Sequence, residues 1–253
     1  MFKTAIVRLP CPGIKDGLSS SNLGTPVFEV AIEQHRNYVD TLRMLGLNVR
    51  ILQANEFYPD STFIEDVAIC AHDWAVVTNP GAPTRRGETA GIRELFKEYL
   101  NDIETIIHPG TLEGGDVMKA GNHYFIGISD RTNNEGADQL IKILQNHGMT
   151  GEKVNLKNML HLKSGVSYLE NDIMLVSGEI ADNEIFESFN LIKVEDNECY
   201  AANSLWVNGK VLVPDGFPVT KDKIEKAGFE TIVLNVSEFR KVDGGLSCLS
   251  LRF

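Results

Sequence analysis

No apolar run in this chain approaches the length of a membrane span, so a transmembrane helix is not expected. Clusters of lysine and arginine are missing too, and the formal net charge is −11, which argues against nucleic acid and anionic membranes as partners. Cysteine is sparse. Cys11, Cys70, Cys199 and Cys248 occur without CxxC spacing, and no HxxxH pair is present. A disulfide framework is therefore not expected, nor is a resident metal or other cofactor. The start, Met1 to Pro10, is too short and too charged for a signal peptide and reads as a strand, so the expected compartment is the cytoplasm. What remains is an ordinary globular composition, with 43% hydrophobic and 23% charged residues. The acidic balance suits a small cationic substrate.

A pattern recurs along the chain. Phe63–Cys70 reads as a strand, followed by a turn at His72-Asp73, a returning strand Trp74–Thr78 and a helix over Thr89–Tyr99. The next copy runs from Glu113 through a turn at Gly121-Asn122 to strand Tyr124–Ile128 and helix Glu135–His147. A third runs from Lys163 through Asn171-Asp172 to Ile173–Ser177, with a helix near Asn183–Phe189. The fourth pairs Ala202–Val207 with Lys210–Pro214 across Asn208-Gly209, a strong two-residue hairpin signal, before helix Thr220–Ala227. A fifth begins near Gly244 and stops after the apolar strand that holds Cys248.

The period is about 40–50 residues. The incomplete fifth copy lacks a strand that the N-terminus can supply at Lys3–Leu9, followed by its own helix, Pro26–Leu45, and strand, Leu47–Leu52. Pairing the two chain ends would close a ring and remove exposed sheet edges. Residues 1–253 are thus expected to form a single catalytic domain.

Each copy carries polar residues at the head of its first strand: Glu65 and Asp66, Glu113 and Asp116, His161, Asn203 and Cys248. Equivalent stations in a ring would converge without any local motif. A thiolate is the nucleophilic form of cysteine, and nearby acids disfavour it until a cation arrives. A guanidinium substrate would answer both conditions, pairing with the carboxylates and stabilising the thiolate. His161 could then donate a proton to the leaving amine and activate water. Arg85 and Arg131 follow the returning strands of neighbouring copies and could clamp a substrate carboxylate. Zinc chemistry competes for the same residue types but lacks any local ligand pair.

The combination resembles the dimethylarginine dimethylaminohydrolases of bacterial type, in the guanidino-group-modifying (pentein) superfamily. The motifs run the full length: Asp16-Gly17-Leu18, Pro59-Asp60-Ser61, Phe63-Ile64-Glu65-Asp66, Arg85-Arg86-Gly87-Glu88-Thr89, Glu113 with Gly115-Asp116, Arg131-Thr132-Asn133, His161-Leu162-Lys163-Ser164-Gly165, Tyr200-Ala201-Ala202-Asn203 and Asp243-Gly244-Gly245-Leu246-Ser247-Cys248.

The resemblance implies an α/β fold, a five-bladed α/β propeller with a central site, in which the N- and C-terminal strands close one blade. It implies hydrolysis of Nω-methylated arginine to citrulline and an amine. Cys248 would be the nucleophile of a thiouronium intermediate, His161 the acid and then the base, and Glu113 the group that orients His161 and contacts the guanidinium. Asp66 would bind the guanidinium, with Asp60, Phe63 and Glu65 nearby. Arg85 and Arg131 would take the carboxylate end. Leu18, on a loop with the character of a lid, and Val242 would line the site. No cofactor is implied, and a homodimer stays open. The alternatives are an arginine deiminase or citrulline hydrolase, and a non-catalytic binding protein of the same fold. Such binding proteins lack the nucleophile and acid set seen here.

Overall fold

Fifteen short strands pair into five three-stranded sheets of one design in the computed structural model, which describes Met1–Phe253. In each sheet the central strand pairs antiparallel with one neighbour and parallel with the other. A hairpin supplies the antiparallel partner in the four internal copies. The parallel partner needs a crossover, and each repeat has room for one.

Two compact units make up the chain: Met1–Ile64 with Asn203–Phe253, and Glu65–Ala202. The first holds two of the sheets. One is built from both chain ends. Thr4–Arg8 lies between Asn48–Leu52, its parallel partner, and Leu251–Arg252, which pairs antiparallel through Ala5 with Arg252 and Ile6 with Leu251. The expected completion of the fifth repeat by the N-terminus is what the register shows. The other sheet orders Leu205–Val207, Lys210–Pro214 and Glu230–Leu234. Asn208 and Gly209 turn its hairpin with φ of 48° and 95°, both positive, as a tight twisted hairpin requires.

The helix Phe28–Met44 turns Ala31, His35, Tyr38, Val39 and Leu42 inward, close to the predicted span. Gly46, at φ 88°, ends it in a conformation that costs glycine least. A second, shorter helix covers Pro218–Lys226.

The second unit holds three sheets. They are Ala68–Cys70 with Trp74–Val77 and Asp102–Thr105; Val117–Ala120 with His123–Ile128 and Thr150–Asn155; and Val166–Tyr168 with Ile173–Val176 and Asn190–Lys193. The helix Asn134–Asn146 is capped by Asn133, whose side chain accepts the Gly136 N–H at 2.8 Å. Its inner face, Ala137, Leu140, Ile143 and Leu144, packs with Trp74, Val76, Tyr124 and Ile126. Another core gathers Phe125, Leu162, Met174, Val176 and Phe186.

Two predicted helices are shorter than expected. Gly91, at φ 79°, cannot continue a right-handed helix, so the span read as Thr89–Tyr99 becomes a 3-10 turn at Pro83–Thr89 and a short helix at Ile92–Phe96. The segment near Asn183–Phe189 keeps only a 3-10 turn, Glu184–Phe186, with Asn183 capping the Ile185 N–H.

One difference bears directly on function. The strands expected to begin at the polar residues start later, because each repeat opens with a 3-10 turn: Ile64–Val67, Gly114–Asp116, Leu162–Ser164, Asp196–Ala202 and Ser247–Leu249. Cys248 therefore sits in a turn just ahead of the terminal strand, not within it. A strand would alternate its side chains to opposite faces, whereas a tight turn can present successive residues at one sheet end.

Candidate active site

In the second unit, His161 and Glu113 occupy matched stations, each immediately before the 3-10 turn of its repeat. Their side chains meet: His161 Nε2 lies 2.8 Å from Glu113 Oε2. Both groups are buried. The other oxygen of Glu113 accepts the Ala82 N–H at 3.0 Å and lies 3.7 Å from Arg131 Nη1, while the Glu113 N–H donates to the Thr132 hydroxyl. The carboxylate is thus held from both sides before any ligand arrives.

Asp66 forms the third member. Its Oδ1 accepts the Gly115 N–H at 2.8 Å and its Oδ2 pairs with Arg85 Nη1 at 2.5 Å. Gly115 has to be glycine at this crossing, since a Cβ would stand 2.6 Å from the His161 ring and 3.0 Å from Asp66 Oδ1. Gly114 faces backbone instead: a Cβ there would meet the Glu65 carbonyl oxygen at 2.0 Å. The Gly-Gly pair therefore lets three turns approach closely.

Burial by itself would lower the His161 pKa, but the carboxylates of Asp66 and Asp116 and the hydrogen bond and charge of Glu113 outweigh it and raise the group to about 9. Asp66 is driven the other way. Burial would raise it, and the opposing charges of His161 and Arg85 with the donated hydrogen bonds hold it below the usual carboxylate range. His161 consequently carries its proton at neutral pH. The ligand atoms of Asp66, Glu113 and His161 lie within 4.8 Å of one another, close enough to surround a small cation. The same arrangement, an imidazole hydrogen-bonded to one carboxylate beside a second, also suits acid/base chemistry.

The two arginines differ. Arg85 is buried, with its guanidinium bracketed by Glu88, through Nε at 3.0 Å and Nη2 at 2.8 Å, and by Asp66. That geometry fixes Asp66 as much as it offers a clamp. Arg131 has 18% of its side chain exposed and stands over Glu113 without a tight ion pair. Glu65, also buried, is held by Lys163 Nζ at 2.5 Å. Four carboxylates (Asp66, Glu88, Glu113 and Asp116) therefore face three cationic side chains, Arg85, Arg131 and His161, an imbalance that favours a positively charged ligand.

In the first unit, Cys248 lies in the turn Ser247–Leu249. The Gly245 N–H points at its sulfur from 3.3 Å, a contact that a thiolate accepts more strongly than a thiol. Asn203 clamps this turn, accepting the Ser247 N–H and donating to the Ser247 hydroxyl, both at 3.0 Å. Phe63 packs edge-on against Phe239 and lies so close to Gly244 that a Cβ there would enter its ring at 2.1 Å. Asp60 accepts the Leu18 N–H at 3.0 Å. The loop after Leu18 is tied to the segment containing buried Val242, because Ser19 and Ser21 donate to the Lys241 carbonyl and Ser20 donates to Asp243.

Glu88, Lys163, Ser129, Thr132 and the clamp role of Asn203 were not assigned from sequence. Only Glu88 had a local cue, lying three residues after Arg85.

Comparison with known proteins agrees with this chemistry. The family described as N,N dimethylarginine dimethylhydrolase, eukaryotic, matches residues 24–249. The N(G),N(G)-dimethylarginine dimethylaminohydrolase of Pseudomonas aeruginosa is 46% identical over the full length of both chains. That of Streptomyces coelicolor is 32% identical over 99% of this chain and 96% of its own. A solved structure of the P. aeruginosa protein, a cysteine-to-serine variant complexed with citrulline, is 45% identical and superposes with a TM-score of 0.98 over all of both chains. The N-terminal domain of a cyanobacterial arginine dihydrolase shares the fold at 19% identity, with a TM-score of 0.89 over 98% of this chain and 97% of that one. By full-length similarity, fold and the composition of its site, this chain belongs to the dimethylarginine dimethylaminohydrolase family.

Proposed function

We propose that the protein hydrolyses Nω-methylated L-arginine to L-citrulline and dimethylamine or methylamine, with residues 1–253 acting as a single catalytic domain. The observation that carries the reading is the buried His161 hydrogen-bonded to Glu113 beside Asp66, in a chain with full-length relatives that bear this activity's name.

Cys248, as thiolate, attacks the guanidinium carbon and forms a C–S bond. His161 gives its proton to the methylated nitrogen as the C–N bond breaks, and the amine leaves. The thiouronium that remains is cationic and suits an acid-rich environment. His161, now neutral, takes a proton from water as the oxygen attacks the same carbon. The C–S bond breaks, the thiolate is regenerated, and the proton left on the new oxygen passes to solvent, giving citrulline. Glu113 orients the imidazole and stabilises its charge. Asp66 accepts the guanidinium N–H groups, with Asp60, Phe63 and Glu65 nearby. Arg131, with Arg85, takes the substrate's carboxylate end, and Leu18 and Val242 line the site. The same reading places the enzyme in the cytoplasm, and sedimentation would decide whether it is a homodimer.

Incubation with asymmetric dimethylarginine, arginine and citrulline, followed by measurement of citrulline, ammonia, dimethylamine and ornithine, tests the substrate. Citrulline and dimethylamine in equal amounts are expected from the methylated substrate. Ornithine from citrulline, with no citrulline from methylarginine, would sink the reading. Cys248→Ser is expected to lower turnover by about a thousandfold or more while leaving the melting temperature near the parent's.

A further inference from the structure

We propose that Asp116 is a positioning residue that joins the Arg131 turn, Glu113 and His161 into one frame, an inference that rests on the roles given to those residues above. Asp116 is wholly buried, where a carboxylate is costly unless its oxygens are fully engaged. It forms no ion pair at contact distance. Its Oδ1 accepts the N–H of Leu162, the residue after His161, at 3.0 Å, and its Oδ2 accepts the Ser129 hydroxyl at 2.7 Å. Burial raises its pKa, and the Thr132 side chain together with these two bonds opposes that rise.

The directions of these bonds follow from what the partners do elsewhere. The Ser129 oxygen accepts the N–H groups of Arg131 at 3.0 Å and Thr132 at 3.2 Å, so its own proton is the one that reaches Asp116. The Thr132 oxygen accepts the Glu113 N–H at 3.1 Å, and the Asp116 N–H donates to the Glu113 carbonyl at 3.0 Å. Three chains of hydrogen bonds therefore radiate from one residue, two of them from its carboxylate. One reaches the backbone of Arg131, one the backbone of Glu113, and one the residue next to His161. Both partners of the side chain are donors, and a carboxylate is the side chain that accepts from both. An amide at this position would turn an N–H against a donor.

The strand behind is fitted to the group. A Cβ on Gly127 would stand 2.8 Å from Asp116 Oδ1. Asp116 also acts through charge. The ionisable groups facing His161 are Asp66, Glu113 and Asp116, with Arg85 on Asp66 and Arg131 beside Glu113. Asp66 and Glu113 have direct roles in the reaction, while Asp116 adds negative potential from behind and contributes to the raised His161 pKa.

The test uses the full chain as Asp116→Asn and Ser129→Ala. The His161 imidazole is titrated by NMR, and citrulline formation is followed kinetically. In Asp116→Asn, the His161 titration is expected to move down by about one pH unit and kcat to fall about 10- to 100-fold. In Ser129→Ala, where the carboxylate remains, the titration is expected to stay within a few tenths of a unit while KM rises about 3- to 10-fold through loss of the Arg131 anchor. A role in stability alone would lower the melting temperature and leave the titration where it was. Asp116→Asn with the parent's His161 titration, or Ser129→Ala with the parent's KM, overturns the proposal. Should Asp116→Asn not fold, the KM of Ser129→Ala decides. A parent chain that forms no citrulline would sink the proposed function instead, and the NMR titration, which needs no turnover, would still decide for Asp116.

Discussion

His161 holds its proton to about pH 9, and this has a consequence for stability as well as for catalysis. In the unfolded chain the same group titrates near 6.5. A folded pKa above the unfolded one means that folding is favoured by protonation. The contribution is fully present below about pH 6.5 and is lost as pH rises through about 9, with a size on the order of 3 kcal/mol. His35 does the opposite. Buried on the helix Phe28–Met44 beside Phe239, it is lowered by burial to about 4, against a smaller opposing effect from the Arg8 backbone. Its Nε2 has no hydrogen-bond partner that would welcome a proton. Its contribution is present above about pH 6.5 and is lost as pH falls through about 4.

The two histidines together predict a stability maximum near pH 6.5, measurable as urea midpoints across pH. His35→Gln should flatten the acid side, and Glu113→Gln should flatten the alkaline side and lower kcat by about 100-fold or more. A flat profile between pH 4 and pH 9 would contradict both assignments. Arg85 belongs to this scale too. Sequence placed it as a clamp for substrate, whereas the structure shows it gripped by Glu88 and Asp66, so part of its job is to keep Asp66 ionised and still.

At the scale of elements, the 3-10 turns hold or directly follow the residues proposed for the chemistry. A turn that precedes a short, buried strand is fixed by the sheet that follows, which gives side chains on it the precision of a scaffold rather than of a loop. The terminal strand shows the dependence. Leu251–Arg252 pairs with Thr4–Arg8, and Phe253 exchanges backbone hydrogen bonds with Lys3 and Thr4 at 2.8 to 3.0 Å. Arg252 also reaches back to the Ser247 carbonyl at 3.1 Å, beside Cys248. Deleting Leu251–Phe253, which spares Cys248 itself, is expected to cost about 3–5 kcal/mol through the lost ladder and the exposed Leu251 pocket. Activity should fall more steeply than the folded fraction. Equal stability in urea with equal activity would show that this strand is dispensable.

Across the whole molecule, the net charge of −11 and the carboxylate excess of the site act on a cationic substrate in the same direction. Raising ionic strength from low to physiological should therefore raise KM about two- to threefold, with little change in kcat, because screening weakens attraction before binding but not the chemistry after it. A salt-independent KM would assign substrate capture to contact alone.

Much of this fold was open to reading in one dimension. The hairpin turns announce themselves through residues that tolerate positive φ, Asn208-Gly209 and Gly121 among them, and the apolar periods between them mark strands and helices. The repeat of those signals predicted five sheets and the pairing of the two ends. It also put Glu113, His161 and Asp66 at matched stations. These features are local, or they repeat, so sequence by itself determined them. The tertiary structure decided the rest. That Glu113 reaches His161 across 48 positions, that Glu88 and Asp66 hold Arg85, and that Asp116 gathers Ser129 and Leu162 are facts about groups brought together only by folding. The turns that replace the heads of the predicted strands have the same origin. At Gly114 and Gly115 the turns before Val117, Ala68 and Val166 crowd together, and no periodicity in the sequence records that crowding.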